Sequence, residues 1–219
     1  MCFSAPASFI AGSVIGATGY ASIKRSPSKR ALLLASTPML FAIMQFIEGL
    51  AWLNFNYYNN PAVYAILTYG YIVFPYLIWP IFNPLSIYFN ETEKIRKSML
   101  AILVASGVIM SLFLTSALFI FGGAASEIIN RSIAYSTGIP FLTSPQWKAV
   151  VFIYCIIFVV PYFISQSRLI KVYGLALLGS FIFSYTIYFA GFISVWCFFA
   201  TFLSFLIFFH FYSLKNQPI

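Results

Sequence analysis

Glu48 is the residue in this sequence best equipped for chemistry. It stands in the apolar stretch Gln45-Phe46-Ile47-Glu48-Gly49-Leu50-Ala51-Trp52. Removal from water disfavours the charged form of a carboxyl. A carboxyl in such a place faces a bundle interior or a wet cavity, where it can handle a proton or hold a cationic ligand. The bland alternative is a neutral Glu48 that hydrogen-bonds a Ser, Tyr or Trp of a neighbouring helix. Gln45, one helical turn away on a similar face, fits either reading.

A second group lies far off in the chain: Ser194, Trp196 and Cys197, within Ser194-Val195-Trp196-Cys197-Phe198-Phe199-Ala200. The chain has three cysteines, Cys2, Cys155 and Cys197. Cys155 sits mid-stretch and reads as a small hydrophobe. Cys2 and Cys197 could form a disulfide in an oxidising compartment, or both could be free. A metal site is not expected, because there is no Cys-x-x-Cys pair and His210 is the sole histidine. No cofactor is implied. A retinal-type Schiff base needs a lysine inside the bundle, and every lysine falls at or beyond the end of an apolar run. A multi-histidine zinc centre is excluded by the histidine count.

The elements that must position these residues follow from composition. The chain has 219 residues, 62% hydrophobic and 7% charged, with a mean hydropathy of +0.93. Soluble domains carry about 25% charged residues. Twelve basic and four acidic side chains cannot cover a water-facing surface of this size, so much apolar surface must face lipid. Disorder, a disulfide scaffold and a soluble enzyme are excluded. The fold class is all-α, a polytopic membrane helical bundle and one transmembrane domain over residues 1–219. About seven spans are expected: Ala7–Ile23, Ala31–Leu53, Pro61–Phe89, Ser98–Phe121, Lys148–Ile164, Leu169–Ala190 and Phe192–Leu214. Pro75, Pro80 and Pro84 predict a kinked or broken third span. Ala190-Gly191 predicts a tight helical hairpin. The longest connection runs from Gly122 to Trp147.

Cations set the orientation. Lys24, Arg25, Lys29, Arg30, Lys94, Arg96, Lys97, Arg168, Lys171 and Lys215 fall on one side, and only Arg131 and Lys148 on the other. The positive-inside rule makes that side cytoplasmic, with the N-terminus outside and the C-terminus inside. The net charge of +8 is thus a matter of topology. It calls for no nucleic-acid partner, while membrane lipids, anionic ones included, are expected partners. The first span is retained rather than cleaved, since cations follow it and none precedes it. Ser8, Gly12, Gly16 and Gly19 give it a small-residue stripe. That stripe serves internal packing or, through Gly12 and Gly16, a homodimer.

On this topology Glu48 lies about 8 Å below the outer surface, from a rise of about 1.5 Å per residue. Cys197 comes to a similar depth, Ser194 and Trp196 lie near the outer start of span seven, and Cys2 precedes span one. His210 falls near the opposite face. Trp52, Tyr57, Tyr58 and Trp147 fit an outer aromatic belt, and Tyr88 and Tyr212 an inner one.

Several of these segments carry a resemblance. The start Met1-Cys2-Phe3-Ser4-Ala5, the Gln45–Trp52 stretch, the Ser194–Ala200 stretch and, more weakly, Ser132-Ile133-Ala134-Tyr135 resemble an uncharacterised bacterial integral-membrane family recorded as a domain of unknown function. Histidines often precede that Ser-Ile in the family, and Asn130 and Arg131 stand there here. The resemblance implies a bacterial plasma-membrane location and brings no activity.

Three function classes remain. The leading one is binding or transport of a small or lipidic ligand through an outward-facing polar pocket lined by Gln45, Glu48, Trp52, Ser194, Trp196 and Cys197. A structural or accessory membrane subunit is second. An intramembrane lipid-modifying enzyme is third, because no nucleophile–base pair accompanies Glu48.

Overall fold

The computed structural model describes residues 4–140, 144–187 and 192–215. Seven helices occur among them: α1 (Ala5–Arg25), α2 (Leu32–Tyr58), α3 (Pro61–Asn90), α4 (Lys94–Ile120), α5 (Pro145–Ile164), α6 (Arg168–Ile187) and α7 (Phe192–Lys215). Five of them, α2 to α6, are long and apolar enough to cross a membrane. The expected turn at Ala190-Gly191 lies outside the described residues.

Helix ends follow local chemistry. The Ser4 hydroxyl accepts from Ala7 N–H at the start of α1, and Lys24 and Arg25 occupy its last turn, where cations suit the helix dipole. The left-handed Asn59, with φ of 47°, ends α2. Asn60 then caps α3 by accepting from Ala62 and Val63 N–H, and Pro61 follows at the first helical position.

Helix α1 lies along α2 in the most extensive helix contact of the fold. Its small-residue stripe makes that approach possible. A Cβ on Gly12 would sit 3.2 Å from the Cβ of Gln45, and one on Gly19 only 2.8 Å from the Met39 backbone nitrogen. The stripe therefore faces the chain's own α2.

The third span is distorted rather than broken. Phe74–Ile78 forms a wide π turn, with Trp79 N–H bonded to the Phe74 carbonyl five residues back. In that register the next donor, position 80, would face the Pro75 carbonyl. Pro80 has no N–H, so the carbonyl needs another partner. The Tyr154 hydroxyl of α5 supplies it at 2.9 Å. Nearby, Gly107 of α4 lies so close to α3 that any Cβ would collide with the Pro80 carbonyl.

The all-α reading needs one correction. The connection after α4 is built as an antiparallel hairpin of β1 (Ala124–Ile129) and β2 (Ser132–Thr137), with Ile129 opposite Ser132. Asn130 and Arg131 both take positive φ, 49° and 60°, as a two-residue type I′ turn requires. A lone two-stranded hairpin is marginal in water. Here α3 grips it: the Tyr64 hydroxyl donates to the Ser126 carbonyl and accepts from Ser126 N–H, and the Thr68 and Ser126 hydroxyls pair at 2.7 Å. Ile133 is fully buried beneath it.

The bundle has two unlike ends. The hairpin and the Asn54–Asn60 turn lie at one. The cationic turns gather at the other, where Arg96 donates to the Ile164 carbonyl and the Arg25 guanidinium lies 5.1 Å from the Phe208 ring centre.

Candidate functional site

Helix α2 is buried on most of its circumference, so its polar residues end inside the protein. Gln45 and Glu48 are both fully buried, and Trp52, one turn further, is 5% exposed. The interfacial-belt position expected for Trp52 is thus corrected: it packs with Ala5, Ala51 and the hairpin residue Ile133. Tyr57 and Tyr58, three and four residues past the buried Asn54, are largely exposed, as an interfacial position requires.

Three elements enclose the Gln45–Glu48 level. Gly12 faces Gln45 and Gly49 faces the Phe9 ring, so the antiparallel register puts Ser8 of α1 level with Glu48. Ser8 is fully buried, and its hydroxyl has no hydrogen-bond partner among the described residues. The hairpin closes the end of the bundle through Ile133 and Tyr135, whose ring stacks on Tyr71 of α3. The third element is α7, which touches both α2 and β2.

Trp196 takes a deeper position. Its indole N–H donates to the Ser180 hydroxyl at 2.9 Å, and its ring lies 5.1 Å from that of Phe158. It lines an apolar cavity of about 20 Å³ with Phe41, Met44, Trp79, Phe158 and Leu177. Met44 and Phe41 precede Gln45 along α2, so Trp196 flanks the Gln45–Glu48 level from below. Such a cavity has room for about one water, and drug-sized ligands occupy roughly 300 Å³ or more. Among the described residues this cavity is too small for such a ligand.

The side chains of Ser194 and Cys197 lie outside the described residues, as does Cys2, so the disulfide expected between Cys2 and Cys197 falls there too. Their helix flanks Trp196 on either side. Cys155 is a free thiol, half-buried in α5. His210 is at the cationic end, 3.2 Å from the Ser167 hydroxyl. No three His, Cys, Asp or Glu side chains gather among the described residues.

The site therefore offers a carboxyl, a carboxamide and a hydroxyl, walled by aromatic rings. That set can hold a cation or a hydrogen-bond donor, or exchange a proton. Sequence reasoning did not place Ser8, Tyr71 or the hairpin's Ile133 and Tyr135 at this site. The Asn130-Arg131 pair between two runs with β-branched and aromatic residues was the available signal for the hairpin. Ser8 was legible only as one member of a packing stripe.

A model of a family of unknown function (DUF6629) matches residues 1–218. Comparison with curated proteins gives no match, and comparison with solved structures gives none.

Proposed function

Since the chain belongs to the family of unknown function DUF6629, a membership that supplies no activity, we propose from its residues that it is a seven-span membrane protein that binds or transports a small or lipidic ligand. The N-terminus is outside and the C-terminus is in the cytoplasm of a bacterial plasma membrane. The ligand site is the Gln45–Glu48 level under the hairpin, with Trp52 and Trp196 as walls and Ser194 and Cys197 on the adjoining helix. One observation carries this reading: Glu48 is a fully buried carboxyl in an apolar helix. A carboxyl is costly there, and an apolar side chain would pack the same space without that cost. The ligand chemistry that suits it is a cation, a proton or a donor group. Entry requires the helices around Trp196 to part, because the cavity there is only about 20 Å³.

That same cavity volume favours a second reading, an accessory subunit whose polar residues lock α1, α2 and the hairpin together. Labelling by a hydrophobic carbodiimide, which attacks protonated carboxyls within membranes, separates the two. A ligand site that opens predicts modification of Glu48, found by peptide mass spectrometry and absent in Glu48→Gln. A permanently closed structural carboxyl stays unmodified until the protein is unfolded. That result would pass the lead to the accessory reading.

A further inference from the structure

The turns at the cationic end leave a second pocket, unrelated to Glu48. It is open, with a volume of about 470 Å³, and is lined by Ser28, Lys29 and Arg30 from the α1–α2 turn and by Phe89, Asn90 and Thr92 from the end of α3. We propose that it is a binding site for the phosphate headgroup of an anionic phospholipid.

Charge is the first argument. Lys29 and Arg30 are exposed, and neither has a carboxylate partner among the described residues, where the one ion pair joins Arg96 to Glu93. Of the two acids that adjoin Thr92, Glu93 is the one paired with Arg96, and Glu91 is 5% exposed, its Oε1 accepting from Thr92 and Glu93 N–H. It does not line the pocket. The two cations that line the opening are therefore not neutralised by a carboxylate of the described residues. Around them stand neutral groups suited to phosphate and glycerol oxygens. Thr92 and Ser28 carry hydroxyls. Asn90 is held in place by donating its Nδ2 to the Ser86 carbonyl at 2.7 Å. Cations, hydroxyls and an amide around one opening form an oxyanion site, and the guanidinium fork of Arg30 suits two phosphate oxygens at once.

Location chooses the source of the phosphate. Phe89, 39% exposed, forms the apolar side of the pocket, and Leu32, also 39% exposed, follows Arg30 by two residues. At the same end Lys97 lies 4.9 Å from the Tyr88 ring centre and Lys24 4.6 Å from that of Tyr20. Lys and Tyr pairs of this kind belong at headgroup depth. A pocket with cations toward water and Phe89 toward the acyl chains matches an amphipathic lipid better than a free anion. The pocket also joins two turns from different helix pairs, so an occupant bridges α1–α2 to α3.

Native mass spectrometry of the purified full chain in detergent tests this, with phosphatidylglycerol, phosphatidylcholine and inorganic phosphate as probes. Wild type should retain one phosphatidylglycerol in preference to phosphatidylcholine. The Lys29→Gln/Arg30→Gln variant should lose that preference, with affinity for phosphatidylglycerol roughly tenfold or more weaker. Arg168→Gln/Lys171→Gln removes the same charge from the same end outside the pocket and should leave it intact. Equal loss in both variants would overturn the site in favour of diffuse attraction. Equal retention of the two lipids by wild type would overturn it too. Displacement of phosphatidylglycerol by millimolar inorganic phosphate would reassign the pocket to a soluble anion and reject the lipid. Lys29, Arg30 and Arg168 are exposed and Lys171 is half-buried, and unchanged thermal unfolding of both variants would show that the fold is kept.

Discussion

The ring of Tyr135, on the hairpin, lies flat on that of Tyr71, on α3, with centres 4.1 Å apart and planes within 2°. Tyr71 is fully buried. This contact ties a surface hairpin to the helical bundle. Loss of the stack in Tyr135→Leu should destabilise the protein by about 1 kcal/mol, the usual worth of an aromatic pair. Limited proteolysis between residues 124 and 137 should accelerate in that variant, while cleavage in the Lys24–Arg30 turn stays constant. Unchanged hairpin proteolysis would show that the stack does not hold the hairpin down.

The bond from Tyr154 to the Pro75 carbonyl replaces one that Pro80 cannot give. Tyr154→Phe should therefore cost about 1 kcal/mol, more if the carbonyl stays buried without a donor. Pro80→Ala restores an N–H in the helix. In that background the same Tyr154→Phe change should cost distinctly less. Thermal unfolding of the four proteins in detergent measures the coupling, and strict additivity would refute the exchange of partners.

The glycines of α1 should not behave alike. Gly19→Ala places a methyl 2.8 Å from the Met39 backbone nitrogen, which cannot swing away, whereas Gly16→Ala places one at an ordinary 3.6 Å from Ala42 Cβ. The first should destabilise by about 1–3 kcal/mol. The second should be near neutral, helped by the better helix propensity of alanine. Unfolding midpoints of the two variants check the contrast.

Orientation can be read by single-cysteine labelling of intact cells in a background lacking the native cysteines. Positions 58 and 128, at the hairpin end, should react with a membrane-impermeant maleimide. Positions 27 and 94, at the cationic end, should react only after permeabilisation. The opposite pattern would invert the topology and move the Glu48 site to the inner leaflet.

Much of this architecture is legible in the sequence because lipid solvation acts on each residue alone. Whether a run of 20 side chains can sit in hydrocarbon depends on their summed transfer energies, and neighbours hardly enter. The seven apolar runs accordingly overlap the seven helices of the described residues to within a few residues, apart from the extension of α2 to Tyr58, and five of those helices are long and apolar enough to cross a membrane. The one-sided cations foreshadow the cationic end for the same reason. Glu48 was also legible, since a carboxyl inside an apolar run is expensive wherever the run packs.

Relations between residues distant in the chain were decided only in three dimensions. Trp52 has the composition of a belt residue, and it is the closing hairpin with Ile133 that makes it interior. The hairpin was missed because its strands are short and its stability is not local: it comes from Tyr64, Thr68 and Tyr71 on a helix more than fifty residues earlier. Three prolines announced a distortion in α3. They could not say that it would be a π turn, or that a tyrosine 79 residues away would satisfy the carbonyl it leaves. Burial in lipid depends on what a residue is, whereas a hydrogen bond or a ring stack depends on which partner the packing delivers to it, and only the folded chain fixes that pairing.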